Sequence, residues 1–371
     1  MAFGTLIAYW IDYGASRGPG DFVWRFPISF QVNFLILIII PMMFLPESPR
    51  WLLSQQRVEE ADRVIAAIRG YEVDSEDTAV ERNLILDSLR AAGDYGQKNT
   101  PIKALFTSGK TQHFRRMALG ASSQFMQQIG GCNAVIYFFP VLFEKSIGES
   151  HNTSLLLGGV NMIVYFLFAV TSWFFIESVG RRRLFLIGSV GQCLSMAITF
   201  SCLINRQAAS ARGAAVGLFT YIAFFGATWL ALPWLYSAEI NPVKTRGKAN
   251  AVSTCTNWLF NFLVVMVTPI MVTKIGWGTY LFFAAINICF IPVIYYFYPE
   301  TSRRSLEEID IIFAKGYVEQ MSYVQAAKEL PYLQPTEVEV YAVRYGLIEG
   351  PEVGGSYTDS RDHEKDGAVP Q

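Results

Sequence analysis

The chain has 371 residues, of which 52% are hydrophobic, 15% aromatic and only 16% charged, with a formal net charge of −1. Soluble domains carry about 25% charged residues, so long disorder is excluded and no basic field exists to recruit nucleic acid. Five cysteines, an odd number and without a CxxC pair, argue against a disulfide framework.

A bilayer-spanning helix needs about 20 mostly apolar residues. Met1–Ile11 is apolar but only about half that length, and it makes a poor signal peptide, since Met1–Trp10 lacks a basic start and Asp12 follows at once. Ile28–Leu45 is the first full span. Six more follow: Met117–Phe143, Leu155–Ile176, Leu184–Asn205, Gly213–Ser237, Ala249–Thr273 and Trp277–Tyr298. Seven such runs predict an all-α polytopic membrane protein.

Between the first two spans, Glu59–Ile68 and Val80–Ala91 repeat Ala, Val, Ile and Leu at helical spacing, which predicts a small helical unit between membrane helices. The polar end of the chain, Gly354–Lys365, reads as disordered. The expected organisation is therefore residues 1–45 as part of one transmembrane bundle, 46–112 as a cytoplasmic helical linker, 113–298 as a six-helix bundle and 299–371 as a cytoplasmic tail.

Lys and Arg placement fixes the expected orientation. Glu47–Arg116 carries eleven basic residues, and two very short loops carry Arg181, Arg182, Arg183 and Lys244, Arg246, Lys248. The alternate loops hold only Arg17 and Arg25, Lys145, Arg206 and Arg212, and Lys274. The first set is expected inside, and so is the C-terminus. The sequon Asn152-Thr153-Ser154 falls on an expected outside loop, which is compatible.

Short motifs sit at the ends of these runs. They are Pro46-Glu47-Ser48-Pro49-Arg50-Trp51-Leu52; Gln127-Gln128-Ile129-Gly130-Gly131-Cys132-Asn133 with Tyr137; Glu177-Ser178-Val179-Gly180-Arg181-Arg182; Pro233-Trp234-Leu235-Tyr236 with Glu239 and Arg246; and Pro299-Glu300-Thr301. In this order the set, covering roughly Phe3 to Ile312, resembles the sugar porter family of the major facilitator superfamily. Gly191–Cys202, Arg212–Phe219, Asn250–Phe262 and Tyr298–Lys315 are similar to its fungal glycerol–proton symporter branch. That branch mixes with hexose carriers.

The resemblance implies a twelve-helix fold and alternating-access uptake of a small polyhydroxy solute, glycerol before a hexose, with protons and the lipid bilayer as the other partners and no cofactor. It implies residence in the plasma membrane. Against the family pattern the first four helices, the start of the fifth and the proton-linked acid of the first are missing. The chain is thus expected to be a truncated form that does not transport by itself.

Polar side chains inside a bilayer are costly and tend to face an internal path. Gln124, Gln127, Gln128 and Gly131 fall at i, i+3, i+4 and i+7, on one helical face. Amides offer a donor and an acceptor, which matches a hydroxyl. The resemblance places substrate contacts at Gln127, Gln128 and Asn133, and also at Asn161, Trp234 and Asn257; Gln124 and Asn257 read equally as packing groups. It further implies a cytoplasmic gate of ion pairs: Glu177 with Arg181 and Arg182, Glu239 with Arg246, and Glu47 with Arg50. In place of the Gly-Pro pair usual before the Trp motif stand Leu230 and Ala231.

The rivals are a non-transporting nutrient sensor on the same scaffold, a hexose facilitator and a membrane enzyme. Ala314–Gln371 is short for a signalling tail, and no nucleophile or metal-ligand cluster is spaced for catalysis. The cysteines Cys132, Cys193, Cys202, Cys255 and Cys289 read as small packing residues.

Overall fold

The computed structural model describes residues 2–92, 101–144, 148, 150–204 and 208–348. The described residues are helical, with no strand among them. Seven helical stretches are long and apolar enough to cross a membrane: Phe22–Met42, His113–Leu142, His151–Val179, Arg181–Ile204, Arg212–Ile240, Arg246–Ile275 and Gly278–Phe297. They coincide one for one with the seven expected runs. The polar stretch Gly354–Lys365 lies outside the described residues.

Helix α1 (Ala2–Ala15) spans about 21 Å at 1.5 Å per residue, too short to cross. It lies against α8 (His151–Val179), where Gly158 and Gly159 leave room for the rings of Tyr9 and Trp10. Tyr9 Oη closes the contact by donating to Leu155 O at 2.8 Å. Helix α2 (Phe22–Met42) packs on α1 and has no buried residue. Its apolar surface runs all the way round, as suits a helix wholly surrounded by hydrocarbon or other helices.

Helices α3 (Pro49–Ser54), α4 (Val58–Arg69) and α5 (Glu76–Ala92) form the small unit that follows. Ser48 Oγ accepts the Trp51 N–H at 3.3 Å, and Pro49 occupies the first turn, where its missing N–H costs nothing. Leu52, Leu53, Ala61, Leu86 and Leu89 make a shared core, and Arg82 reaches Asp62 at 2.6 Å.

The main bundle is α6 (His113–Ile129), α7 (Cys132–Leu142), α8, α9 (Arg181–Ile204), α10 (Ala208–Phe224), α11 (Leu232–Ile240), α12 (Arg246–Ile275) and α13 (Gly278–Phe297). The run expected as one helix over Met117–Phe143 is two. It breaks at Gly131, whose φ of 99° is open to glycine at little cost. An added Cβ there would stand 2.8 Å from the Phe283 ring. Gly131→Ala should therefore lower stability by about 1–2 kcal/mol from the backbone alone. Thermal unfolding of the purified protein reads this, and Phe283→Ala should recover the steric part only.

Gly213–Ser237 is likewise interrupted, by a π-helical turn at Phe225–Trp229 in which Leu230 N donates to Phe225 O at 2.9 Å. Around these breaks the core is aromatic. The Phe185 ring meets Trp229, Tyr236 and Tyr298 edge-on at 4.8, 5.6 and 5.7 Å, and Tyr236 stacks on Tyr298 at 5.1 Å.

After the last span come α14 (Leu306–Val318), α15 (Tyr323–Glu329) and α16 (Pro335–Arg344). Ser305 and Glu308 form a reciprocal cap at the start of α14. Ile311, Ile312, Ala326, Leu330 and Tyr345 close a core among the three helices. Part of the expected tail is thus folded, because its apolar residues pack on each other and, through Ile309, Phe313 and Tyr323, on the bundle core.

Arg116 ties this unit to the bundle. It is fully buried, donates to Ile240 O and pairs with Asp310, while its guanidinium lies 4.8 Å from the Phe313 ring centroid. Asp310→Asn leaves that cation buried without its counter-charge, a change that costs about 3–5 kcal/mol for a fully buried pair and less here because Asp310 is partly exposed. A drop of several degrees in unfolding temperature is expected. Arg116→Met with Asp310→Asn should be milder than Asp310→Asn alone.

Candidate functional site

The two helix breaks face each other, and each frees backbone carbonyls that the amide side chains take up. Pro233 has no N–H, so Trp229 O, four residues earlier, lacks its helical donor. Gln127 Nε2 supplies one at 2.7 Å and also reaches Leu230 O at 3.1 Å. On the other side, Gly130 O accepts from Tyr221 Oη at 2.9 Å and from Asn287 Nδ2 at 3.0 Å. Cys132 Sγ lies 3.1 Å from Gln127 O.

The amides then bond one another. Asn257 Nδ2 donates to Gln124 Oε1 at 2.6 Å and to Gln127 Oε1 at 3.0 Å. Asn133 Nδ2 donates to Gln128 Oε1. All five amides are buried. Gln127 is saturated by these bonds. Gln128 Nε2 and Asn133 Oδ1 are not: among the described residues neither has a partner, which leaves a donor and an acceptor on two amides joined to each other.

A cavity of about 110 Å³ opens here. Gln127, Gln128, Asn133, Trp234 and Asn257 line it, all from the expected set. Its described lining carries amide, hydroxyl, indole and apolar groups and no charged side chain. Pockets that enclose a small molecule usually measure about 300–1,000 Å³, and this cavity is smaller.

Asn161 stands apart. It is fully buried in α8, does not line the cavity, and neither its Nδ2 nor its Oδ1 has a partner among the described residues. The resemblance put it in the pocket, but its position on α8 turns it into the packed interior. Gln124 is held by Asn257 and is absent from the lining, so it acts as a support.

At the Lys/Arg-rich end of the bundle, Arg181 gathers both glutamates. Its Nη2 lies 2.6 Å from Glu177 Oε1 and 2.7 Å from Glu239 Oε1, and its Nη1 donates to Ser302 Oγ at 3.2 Å. Thr301 Oγ1 donates to Glu239 Oε2 at 2.6 Å. The expected pairing of Glu239 with Arg246 is not formed. Arg246 Nε donates instead to Asn241 O at 3.3 Å, because Arg181 already fills the carboxylate. Arg182 pairs with neither glutamate: it donates to Tyr295 O at 2.7 Å and lies over that ring. Glu47 and Arg50 form no ion pair among the described residues; Arg50 reaches Ser88 Oγ at 3.2 Å across the small helical unit.

Residues 1–313 match the family model described as sugar (and other) transporter. The chain belongs to the sugar transporter family of the major facilitator superfamily. It is 47% identical to sugar transporter STL1 of Saccharomyces cerevisiae over 346 residues, covering 93% of this chain and 60% of that one. To the major facilitator superfamily transporter mfsA of Aspergillus fumigatus it is 43% identical over 347 residues, covering 94% and 64%. A probable quinate permease of Aspergillus clavatus is 32% identical over 333 residues, covering 84% and 60%. The chain thus spans about 60% of the length of the relatives it matches. Its fold superposes on the proton:xylose symporter XylE bound to 6-bromo-6-deoxy-D-glucose with a TM-score of 0.66 at 24% identity, covering 84% of this chain and 65% of that one.

In this sugar transporter family member the sequence reading missed several groups. Glu300 was noted within its motif without a role. It accepts the Arg181 and Arg182 N–H groups at 2.8 and 3.1 Å, capping α9. Tyr221 and Asn287, which hold the Gly130 carbonyl, carried no local signal, because nothing in sequence says which helix will lie beside a break. Trp258 and Asn261 line the cavity one and four residues after Asn257; the helical i+4 spacing from Asn257 to Asn261 was the clue.

Proposed function

We propose that this multi-pass membrane protein carries a small neutral polyol, glycerol before a hexose, across the plasma membrane by alternating access coupled to protons. The observation that carries the reading is the unsatisfied pair Gln128 Nε2 and Asn133 Oδ1 beside Trp234. A hydroxyl both donates and accepts, and the indole face suits the C–H surface of a polyol. The uncharged lining favours a neutral solute over a carboxylate. Proton coupling rests on the sequence resemblance.

In this reading residues 113–298 form one transmembrane bundle, 46–112 a cytoplasmic linker, 1–45 part of the partner bundle and 299–371 a cytoplasmic tail. Arg181, Glu177 and Glu239 form the cytoplasmic gate, a cluster that favours one access state because it breaks in the other. Arg182, Arg246, Glu47 and Arg50 lie around that end and help to fix its sidedness.

Radiolabelled glycerol uptake tests the proposal in yeast lacking its own glycerol carriers. Two forms are compared: the 371-residue chain, and a fusion in which the first-bundle helices of the Saccharomyces cerevisiae relative precede it. Saturable uptake by the fusion, abolished by a protonophore, is the expected result. Uptake indifferent to the proton gradient would make the protein a facilitator. No uptake of glycerol or hexose by a surface-expressed fusion overturns the assignment.

A further inference from the structure

Beside the gate cluster, and separate from the polyol cavity, lies a second cavity of about 430 Å³ between the start of α9, the turn after Pro299 and the end of α15. Arg182, Arg183, Arg303, Arg304 and Lys328 line it, with Tyr332 at its rim. We propose that this cavity binds a phosphate monoester, so that the anion bridges the bundle and the folded segment that follows it.

The charge distribution carries the inference. Five cations face two carboxylates, Glu177 and Glu300, and both of these are already engaged. Glu177 is held by Arg181. Glu300 accepts four backbone N–H groups, from Arg181, Arg182, Thr301 and Ser302, at 2.8 to 3.1 Å. Arg304 is structural: it pairs with Glu308 and donates to the Ala327, Leu330 and Pro331 carbonyls, which fixes the end of α15 on this wall. Arg183, Arg303 and Lys328, by contrast, have no hydrogen bond or ion pair among the described residues.

Arg303 adds a second sign. Its φ of 58° is in the left-handed region, unusual for a residue other than glycine, asparagine or aspartate. The local backbone thus holds an unpaired guanidinium at the cavity at a cost. Topology alone explains why basic residues lie near this end of the bundle. It does not explain why three unpaired ones from three separate segments converge on one concavity.

Guanidinium groups bind phosphate oxygens through forked, charge-assisted hydrogen bonds. The volume lies within the range of small-molecule sites, and basic pockets at the ends of membrane helices suit phosphorylated head groups. A soluble phosphomonoester and a phosphoinositide head group share this chemistry.

The test uses the purified chain in phosphatidylcholine nanodiscs, titrated with inorganic phosphate and with glycerol 3-phosphate while thermal unfolding is followed. A parallel set of nanodiscs contains phosphatidylinositol 4-phosphate. Saturable stabilisation in the first set identifies a soluble ligand, and stabilisation confined to the second identifies the lipid. In either case Arg303→Gln with Lys328→Gln should weaken the response about tenfold or more, equivalent to roughly 1.4 kcal/mol, while Arg63→Gln on α4 leaves it intact. Both substituted side chains are exposed and make no hydrogen bond or ion pair among the described residues, so the unliganded unfolding temperature should move little. Absence of saturable stabilisation in both sets, or a response that the double variant retains or that sodium chloride of equal ionic strength reproduces, overturns the proposal.

Discussion

Asn133→Ala and Gln128→Ala should each raise the apparent KM for glycerol about tenfold or more in the transporting fusion, with turnover much less affected. Each substitution removes one of the two unpartnered amide atoms of this pair. It also releases the other, because Asn133 Nδ2 donates to Gln128 Oε1. A hydrogen bond lost in a desolvated site costs about 1–3 kcal/mol, and 1.4 kcal/mol is a factor of ten. The double variant should be less than additive, since either change already breaks the mutual orientation. Initial-rate uptake over a range of glycerol concentrations measures this. Gln127→Ala should behave differently. Its amide is committed to Trp229 O, Leu230 O and Asn257, so stability should fall along with affinity.

Arg181→Gln should cut turnover about tenfold or more while moving the apparent KM by a smaller factor. The guanidinium is nearly buried and holds Glu239, Glu177 and Ser302 together. Removing one partner of a buried ion pair costs about 3–5 kcal/mol, reduced here by the exposure of Glu177. A change of even half that size redistributes two access states more than tenfold. Glu239→Gln should shift turnover in the same way but less, because Thr301 still donates to the remaining oxygen. Arg181→Lys keeps the charge but loses the fork, so it should fall between. Should Arg181→Gln and Asn133→Ala raise KM alike at normal surface abundance, the division into cavity and gate is wrong.

The membrane helices were legible because each is a local property. A run of about 20 apolar residues crosses a bilayer wherever it occurs, and the seven helical stretches coincide with the seven runs. The amide face of α6 was legible for a related reason: i, i+3, i+4 spacing is set by one helix alone. Partners across helices were not. The resemblance implied a pair between Glu239 and Arg246; Arg181, 58 residues from Glu239, fills that carboxylate instead. Asn161 is buried in α8 and does not line this cavity, a placement that depends on how α8 packs against α1 and the π turn.

By itself, the sequence determined fold class, the number of spans and the family, all consequences of composition, periodicity and short motifs within single helices. Tertiary structure decided which buried polar atoms are spent on holding the fold and which are left without a partner at the cavity. Pro233 removes a donor, Gln127 replaces it, and Asn257 then fixes Gln127. Only after that chain of bonds is closed do Gln128 Nε2 and Asn133 Oδ1 emerge as the open pair. Hydrogen-bond satisfaction is counted across helices in three dimensions, and most buried polar groups meet that count whatever their separation along the chain.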